Sequence, residues 1–185
     1  MGISGKPEKL IDVPKVNIPL IKRYSGGGTV VVDNNTLFMS FIFNSEVHPF
    51  EPFPNPILHW SEQLYSQALP GLKLRENDYV IGDHKIGGNA QYIKKGRWVH
   101  HTTFLWDYNP DLMNLLLLPE KRPQYRKERS HDQFITKLKP HLPSIETLPT
   151  KVIEILSKSF KINYQAPNVK RLYIEHRKST KLIEL

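Results

Sequence analysis

The stretch that most constrains this chain runs Lys22-Arg23-Tyr24-Ser25-Gly26-Gly27-Gly28-Thr29-Val30-Val31-Val32-Asp33. Three consecutive glycines separate an apolar run, Ile18–Ile21, from a β-branched run, Thr29–Val32. β-formers on both sides predict strands, which places the glycines at a strand–loop–strand junction. Glycine reaches positive φ and has no Cβ to hold a ligand away. Successive amides in such a turn converge into an anion-binding concavity, and Lys22 and Arg23 add fixed positive charge at its entrance. A plain hairpin turn has the same local sequence. The stretch is neither a phosphate loop ending in Lys-Ser/Thr nor the spaced-glycine dinucleotide fingerprint.

A second stretch narrows the choice: Asp83-His84-Lys85-Ile86-Gly87-Gly88-Asn89-Ala90-Gln91, followed by His100-His101-Thr102-Thr103. Arg23–Gly28, Lys85–Ala90 and His101–Thr103, in that order, resemble the lipoate-protein ligase family of the biotin/lipoate ligase superfamily. That family pairs an arginine-x-serine-triple-glycine loop with a Lys-Ile-x-Gly-x-Ala strand and a later His-x-Thr strand. The resemblance runs from about Gly2 to Asp107. It implies an α+β fold with a mixed, mostly antiparallel sheet and flanking helices. Ahead of its glycine loop the family carries a helix and the first strands of the sheet, whereas 25 residues precede Gly26 here. The expectation is an N-terminally shortened catalytic domain over residues 1–118 and a small helical extension over residues 119–185.

The resemblance also implies a chemistry. A fatty carboxylate attacks the α-phosphate of ATP, with Mg²⁺ as companion ion, giving an acyl-adenylate and pyrophosphate. A lysine of an acceptor domain then takes the acyl group and AMP leaves. Lys85 matches the family lysine that contacts both the acyl carbonyl and the phosphate. Arg23, Ser25, Gly26, Gly27 and Gly28 match the loop over the dithiolane tail and the adenylate. Gly87 and Gly88 allow close backbone approach, with Asn89 as a donor to phosphate or ribose. His101 and Thr103 shape the site, and Asp33 matches a carboxylate that assists Mg²⁺ or substrate orientation. Two departures stand out: Val32 occupies the place of a family histidine, and Asn34-Asn35-Thr36 stands where the family has Gly-Asn.

Composition bounds the alternatives. The absence of cysteine excludes disulfides, thiolate metal sites and the cysteine thioester of related octanoyl or lipoyl transferases. A formal net charge of +8 favours an acidic partner. The resemblance names lipoyl acceptor domains of 2-oxoacid dehydrogenases or the glycine-cleavage carrier protein. Pro119–Arg129, with five Lys or Arg residues around Tyr125, is the best case for nucleic acid instead. A non-catalytic relative with the same fold is the remaining alternative. No apolar run approaches the roughly 20 residues of a membrane span. Met1–Leu10 lacks the apolar centre of a signal peptide, so the cytoplasm is the default location, with mitochondrion or plastid open if a targeting segment precedes it.

Periodicity fills in the elements. Leu37–Phe43 predicts a strand buried on both faces, and Asn55-Pro56 a cap for a helix over about Ile57–Leu69. Short strands are expected at Leu72–Arg75 and Tyr79–Gly82, then a hairpin of Gly88–Ile93 with Trp98–Trp106. Asn109-Pro110 opens a short helix leading into a buried Leu115–Leu118 run. Ser130-x-x-Gln133 reads as a capping box for a helix ending near Pro140. A further helix is expected over Pro149–Phe160, and strands at Leu172–Glu175 and Leu182–Leu185. Adjacent strand residues face opposite ways, so His100 and His101 cannot share one metal.

Overall fold

The computed structural model describes residues 1–166 and 180–184. Its centre is a five-stranded sheet in the order β2-β6-β5-β4-β3, with every neighbouring pair antiparallel. The strands are β2 (Thr36–Asn44), β3 (Leu72–Arg75), β4 (Asp78–Ile81), β5 (His84–Lys94) and β6 (Arg97–Leu105). A short ribbon pairs β1 (Leu20–Lys22) with β7 (Lys181–Ile183), which places the expected last strand against the segment leading into the glycine loop. The expected strand at Leu172–Glu175 lies outside the described residues.

One face of the sheet is covered by α2 (Pro54–Ala68), against which α5 (Thr147–Ser157) packs. Ile57, Leu64, Tyr65 and Ala68 of α2 meet Phe41, Trp98 and Phe104 of the sheet. Leu138, Leu148 and Val152 fill the same cluster. Side chains from both sides of residue 118 therefore share one core. Burying a leucine or phenylalanine here stabilises by roughly 1.5–3 kcal/mol each. A smaller cluster joins Val80 to Met113 of α3 (Pro110–Met113), Tyr125, and Phe134 of α4 (His131–Phe134).

Strand alternation sorts β6 as its pairing requires. His100 and Thr102 point into the helix-covered face and are fully buried, whereas His101 and Thr103 look out of the other face. His100 sits in a buried chain of polar groups: its Nε2 pairs with Tyr79 Oη at 2.8 Å, Tyr79 Oη with Ser61 Oγ at 2.6 Å, and Tyr65 Oη donates to Thr102 Oγ1 at 3.0 Å. Burial, reinforced by neighbouring His101, pushes His100 from 6.5 down to about 4. The unfolded chain thus takes up this proton near pH 6.5 and the folded one only near pH 4. The contribution is intact above pH 6.5 and is lost as pH falls toward 4. It amounts to roughly 3 kcal/mol at about 1.4 kcal/mol per pH unit. The expected result is that His100→Gln flattens the fall of thermal midpoint across this window. Parallel melting curves for variant and wild type would place the acid sensitivity elsewhere.

Several expectations are corrected. Among the described residues Thr29–Val32 has no partner strand and forms no ladder, and Val30 and Val32 are exposed. Among the described residues β2 is an edge strand with one open face, and Phe38 and Ile42 stand 51% and 65% exposed rather than buried on both sides. The helix expected over about Ile57–Leu69 behind an Asn55 cap runs Pro54–Ala68 with Phe53 at the cap, since prolines at its first and third positions give up amides that have no helical partner there. Leu115 is buried, but Leu117 and Leu118 are exposed. The capping box at Ser130 forms as read, yet its helix lasts one turn. Ile135 then turns extended and bridges Lys85, with Thr136 N donating to Lys85 O at 2.8 Å. Tertiary pairing replaces the remaining helical bonds and fixes the backbone of Lys85.

Candidate functional site

The open face of the sheet is the floor of a groove of about 1010 Å³. Gly88, Ala90, His101 and Thr103 lie on this floor, with Phe38 and Ser40 at one side. The glycine-loop segment and Ile18–Ile21 form one wall, Leu112, Leu115 and Leu116 another.

Arg23 builds the loop from within. Its Nε donates to Ser25 Oγ at 3.0 Å, and its Nη2 donates to the carbonyls of Gly26 and Gly28, each at 2.8 Å. The guanidinium therefore acts as a staple that ties up loop carbonyls. Gly27 has φ +92°, and a Cβ there would stand 3.0 Å from Arg23 Nη2, so this position requires glycine. The first residues of the chain brace the loop: Ile3 N donates to Ser25 O, and Arg23 N to Met1 O, both at 3.0 Å.

Lys85 reaches the groove through an irregularity in its strand. Regular alternation puts residues i and i+3 on opposite faces, yet Lys85 Nζ lies 3.4 Å from where a Cβ on Gly88 would sit. The cause is a register shift between Tyr79 and Val80: Lys85 opposes Val80 while Gly87 opposes Tyr79, so β5 has one extra residue at Ile86. Such bulges re-aim side chains beside functional sites. Gly87 is obligatory for packing, since a Cβ there would stand 2.8 Å from Phe104 Cδ1 and 3.0 Å from Thr103 O.

Lys85 Nζ pairs with Asp78 Oδ1 at 2.6 Å, and Asp78 Oδ2 accepts from Tyr125 Oη at 2.9 Å. Asp78 is 6% exposed, so this carboxylate depends on both partners. Burial, and secondarily the Asp78 charge, pushes the Tyr125 hydroxyl well above its ordinary value, so it stays a donor. Arg75 lies over the Tyr125 ring at 4.6 Å. The basic loop thus turns Tyr125 and Arg126 inward and presents no exposed aromatic–basic patch built on Tyr125.

Arg23, Ser25, Gly27, Gly28, Lys85, Gly88, Asn89, His101 and Thr103 come together around the groove, and Gly87 lines a smaller cavity behind Lys85. His101 Nδ1 pairs with Ser40 Oγ at 2.7 Å, and burial followed by the Arg23 charge lowers its pKa, so the ring is held neutral. Asn89 Nδ2 donates to Asn77 O at 2.6 Å, tying β5 to the turn before β4. Gly26 contributes its carbonyl to the Arg23 staple. Asp33 lies away from the groove: its Oδ1 accepts from Asn35 N at 2.9 Å and Thr36 Oγ1 at 3.2 Å, forming the turn into β2. The residues that motif reading missed are Asp78 and Tyr125. Asp78 is found only by folding β4 back on β5 across the Gly82-Asp83 turn, and nothing local signals Tyr125. Among the described residues there is no cluster of three His or acidic side chains that holds a metal by itself.

A staple-built glycine loop, a bulge-aimed lysine and an outward His-x-Thr pair thus share one groove on the open face of the sheet. The family model described as lipoyl protein ligase A/B catalytic domain matches residues 1–161. The chain belongs to that family. It is 32% identical, over 89% of its length, to the Plasmodium falciparum protein named inactive lipoate–protein ligase 2, of which the match covers 54%. It is 36% identical over 57% of its length to lipoate-protein ligase LplJ of Bacillus subtilis, of which 34% is covered. The chain thus spans about half or less of these relatives. In fold it is similar to the bipartite lipoate protein ligase of Thermoplasma acidophilum, with TM-score 0.73, 21% identity, and 93% and 72% of the two chains covered. A lipoate-protein ligase A solved with bound ATP gives TM-score 0.72 at 20% identity, covering 93% and 74%.

Proposed function

We propose that this chain is the catalytic domain of an ATP-dependent lipoate-protein ligase. It would activate lipoate as lipoyl-AMP and pass the lipoyl group to a lysine of an acceptor domain. The observation that carries this is the place of Lys85, whose ammonium stands in the wall between the large groove and the smaller cavity, beside the glycine loop. The apolar walls of the groove, Ile18, Leu20, Val30, Phe38 and Leu115 among them, suit an acyl chain ending in a dithiolane.

In the first step a lipoate carboxylate oxygen attacks the α-phosphorus of ATP, and the bond to pyrophosphate breaks. Negative charge builds on the phosphoryl oxygens, where Lys85 is the fixed cation; an aimed donor of this kind supplies a few kcal/mol. In the second step the acceptor amine attacks the acyl carbonyl, the carbon–oxygen bond to AMP breaks, and the amine loses its proton. Neither step needs an enzyme nucleophile, in keeping with a chain that has no cysteine. Mg²⁺ binds ATP complexes through one or two carboxylates together with phosphate oxygens. Asp78 fits as that carboxylate, and the ion would neutralise phosphate charge there. The net charge of +8 suits acidic acceptors such as lipoyl domains of 2-oxoacid dehydrogenases or the glycine-cleavage carrier.

A second reading is a non-catalytic member that retains the groove. The name of the Plasmodium relative and Val32 in place of the family histidine both favour it. Pyrophosphate release with lipoate and ATP, measured beside lipoyl-AMP binding, separates the two. Release together with binding is the expected result. Binding without release would favour the non-catalytic member, and loss of both would end the ligase reading.

A further inference from the structure

The Arg23 staple holds Ser25, Gly26 and Gly28, and the Tyr24 side chain beside it turns elsewhere, onto the open face of the sheet. Its ring meets the Tyr92 ring edge-on, with centroids 5.2 Å apart and planes at 84°, and the His101 ring at 6.5 Å and 77°. Its Oη lies 3.4 Å from His101 Nε2, while Nδ1 of the same ring pairs with Ser40 Oγ at 2.7 Å. A line from Tyr24 through His101 to Ser40 therefore crosses the floor of the groove.

Strand pairing gives that line its place. On the open face Gly88, Thr103 and Phe38 form one row and Ala90, His101 and Ser40 the next; Tyr92, Val99 and Ile42 form a third. Among the described residues the first two rows line the groove and the third does not. The groove thus ends between His101 and Val99, where the Tyr24 ring leans from the loop onto Tyr92. Lys85 Nζ stands by the first row, 3.4 Å from the place of a Cβ on Gly88. An acyl carbonyl held there has the stretch from Thr103 to Val99 for its chain, about 13 Å of strand. Octanoate and lipoate fit that length, and extended dodecanoate does not. In the other direction the groove meets Asn77 and Asp78, which are polar.

We propose that Tyr24 determines acyl-chain length: its ring is the end wall of the groove, which admits medium-length acyl groups and turns long ones away. This rests on the acyl-adenylate reading above. A ring braced edge-to-face by a second aromatic is held in place, and forcing extra methylenes against a fixed wall is unfavourable. Beyond the wall the third row is apolar, so removing the ring would prolong the groove over Val99 between Tyr92 and Ile42.

The test is calorimetric titration of the whole chain with octanoyl-AMP, lipoyl-AMP and dodecanoyl-AMP. Wild type, Tyr24→Ala, Tyr24→Phe and Tyr92→Ala are compared. Wild type is expected to bind the two shorter ligands about tenfold or more tighter than dodecanoyl-AMP, and Tyr24→Ala to bring all three within about threefold by gaining affinity for the long chain. Tyr24→Phe keeps the ring and should keep the preference. Tyr92→Ala removes the brace at a position 43% exposed; it should relax the preference in part, and it carries the decision if Tyr24→Ala melts early. An unchanged preference in both alanine variants would overturn the proposal. So would equal weakening of all three ligands, which marks a structural role, or a wild type that binds dodecanoyl-AMP as tightly as octanoyl-AMP. If chain length is discriminated in this pattern but lipoate or octanoate with ATP releases no pyrophosphate, the end wall stands and the ligase reading falls.

Discussion

Lys85→Ala is expected to lower acyl-adenylate formation by about two orders of magnitude or more, the loss that follows removal of one aimed transition-state donor. The structure divides the effect in two. On the ligase reading, removing the ammonium takes away the cation at the α-phosphate; it also strands Asp78, whose side chain is 9% exposed and would keep only Tyr125 as partner. The stranded carboxylate lowers stability as well as rate, since breaking a buried pair from one side costs about 3–5 kcal/mol; the figure is an upper bound here, because the Lys85 side chain is 28% exposed. Adding Asp78→Asn to Lys85→Ala should restore the melting temperature and leave adenylation low. Lys94→Ala and Lys95→Ala, at the far turn of the β5–β6 hairpin, should change the rate little. Equal losses at all three lysines would point to a general electrostatic surface and not to a catalytic lysine.

Gly27→Val should abolish binding of lipoyl-AMP while leaving the fold in place. Valine at φ +92° is strained irrespective of space. Its Cβ would also press on Arg23 Nη2, the atom that holds the carbonyls of Gly26 and Gly28. The loop would have to leave the groove wall. The sheet and its helix-covered core do not depend on it, because no residue of the loop belongs to the main hydrophobic cluster. Calorimetry with lipoyl-AMP reads the first effect and a thermal melt the second. Full affinity in this variant would reduce the triple glycine to an ordinary turn.

Both variants touch residues that were legible in the sequence, and the reason is local. Three glycines after Arg-x-Ser, and a lysine two residues before a glycine pair, are marks of backbone conformation and close approach that survive without knowledge of the fold. The β5–β6 hairpin and α2 were legible for the same reason, through alternation and a proline-marked start. What the sequence hid is what tertiary pairing decides. The bulge at Ile86 turns Lys85 to the same face as Gly88, against the two-residue rhythm of a strand. The bridge from Ile135 to Lys85 cuts a helix to one turn despite an intact capping box. Val30–Val32 has every residue type of a strand and, among the described residues, no neighbour to pair with. Asp33, read as a site carboxylate by its motif position, is spent on a turn.

The Lys85–Asp78 contact has a consequence for how occupancy is felt elsewhere. A cation already engaged at 2.6 Å cannot turn fully to a phosphate without releasing its present partner. On the ligase reading, ligand arrival would be an exchange: Lys85 would move from carboxylate to phosphate, leaving Asp78 with Tyr125. That tyrosine is anchored at its amide by Glu76 and belongs to the loop whose Arg129 is tied to Asp83 O at 2.8 Å. On the ligase reading, the loop that carries Tyr125, some forty residues downstream in sequence, would therefore feel the exchange at Lys85.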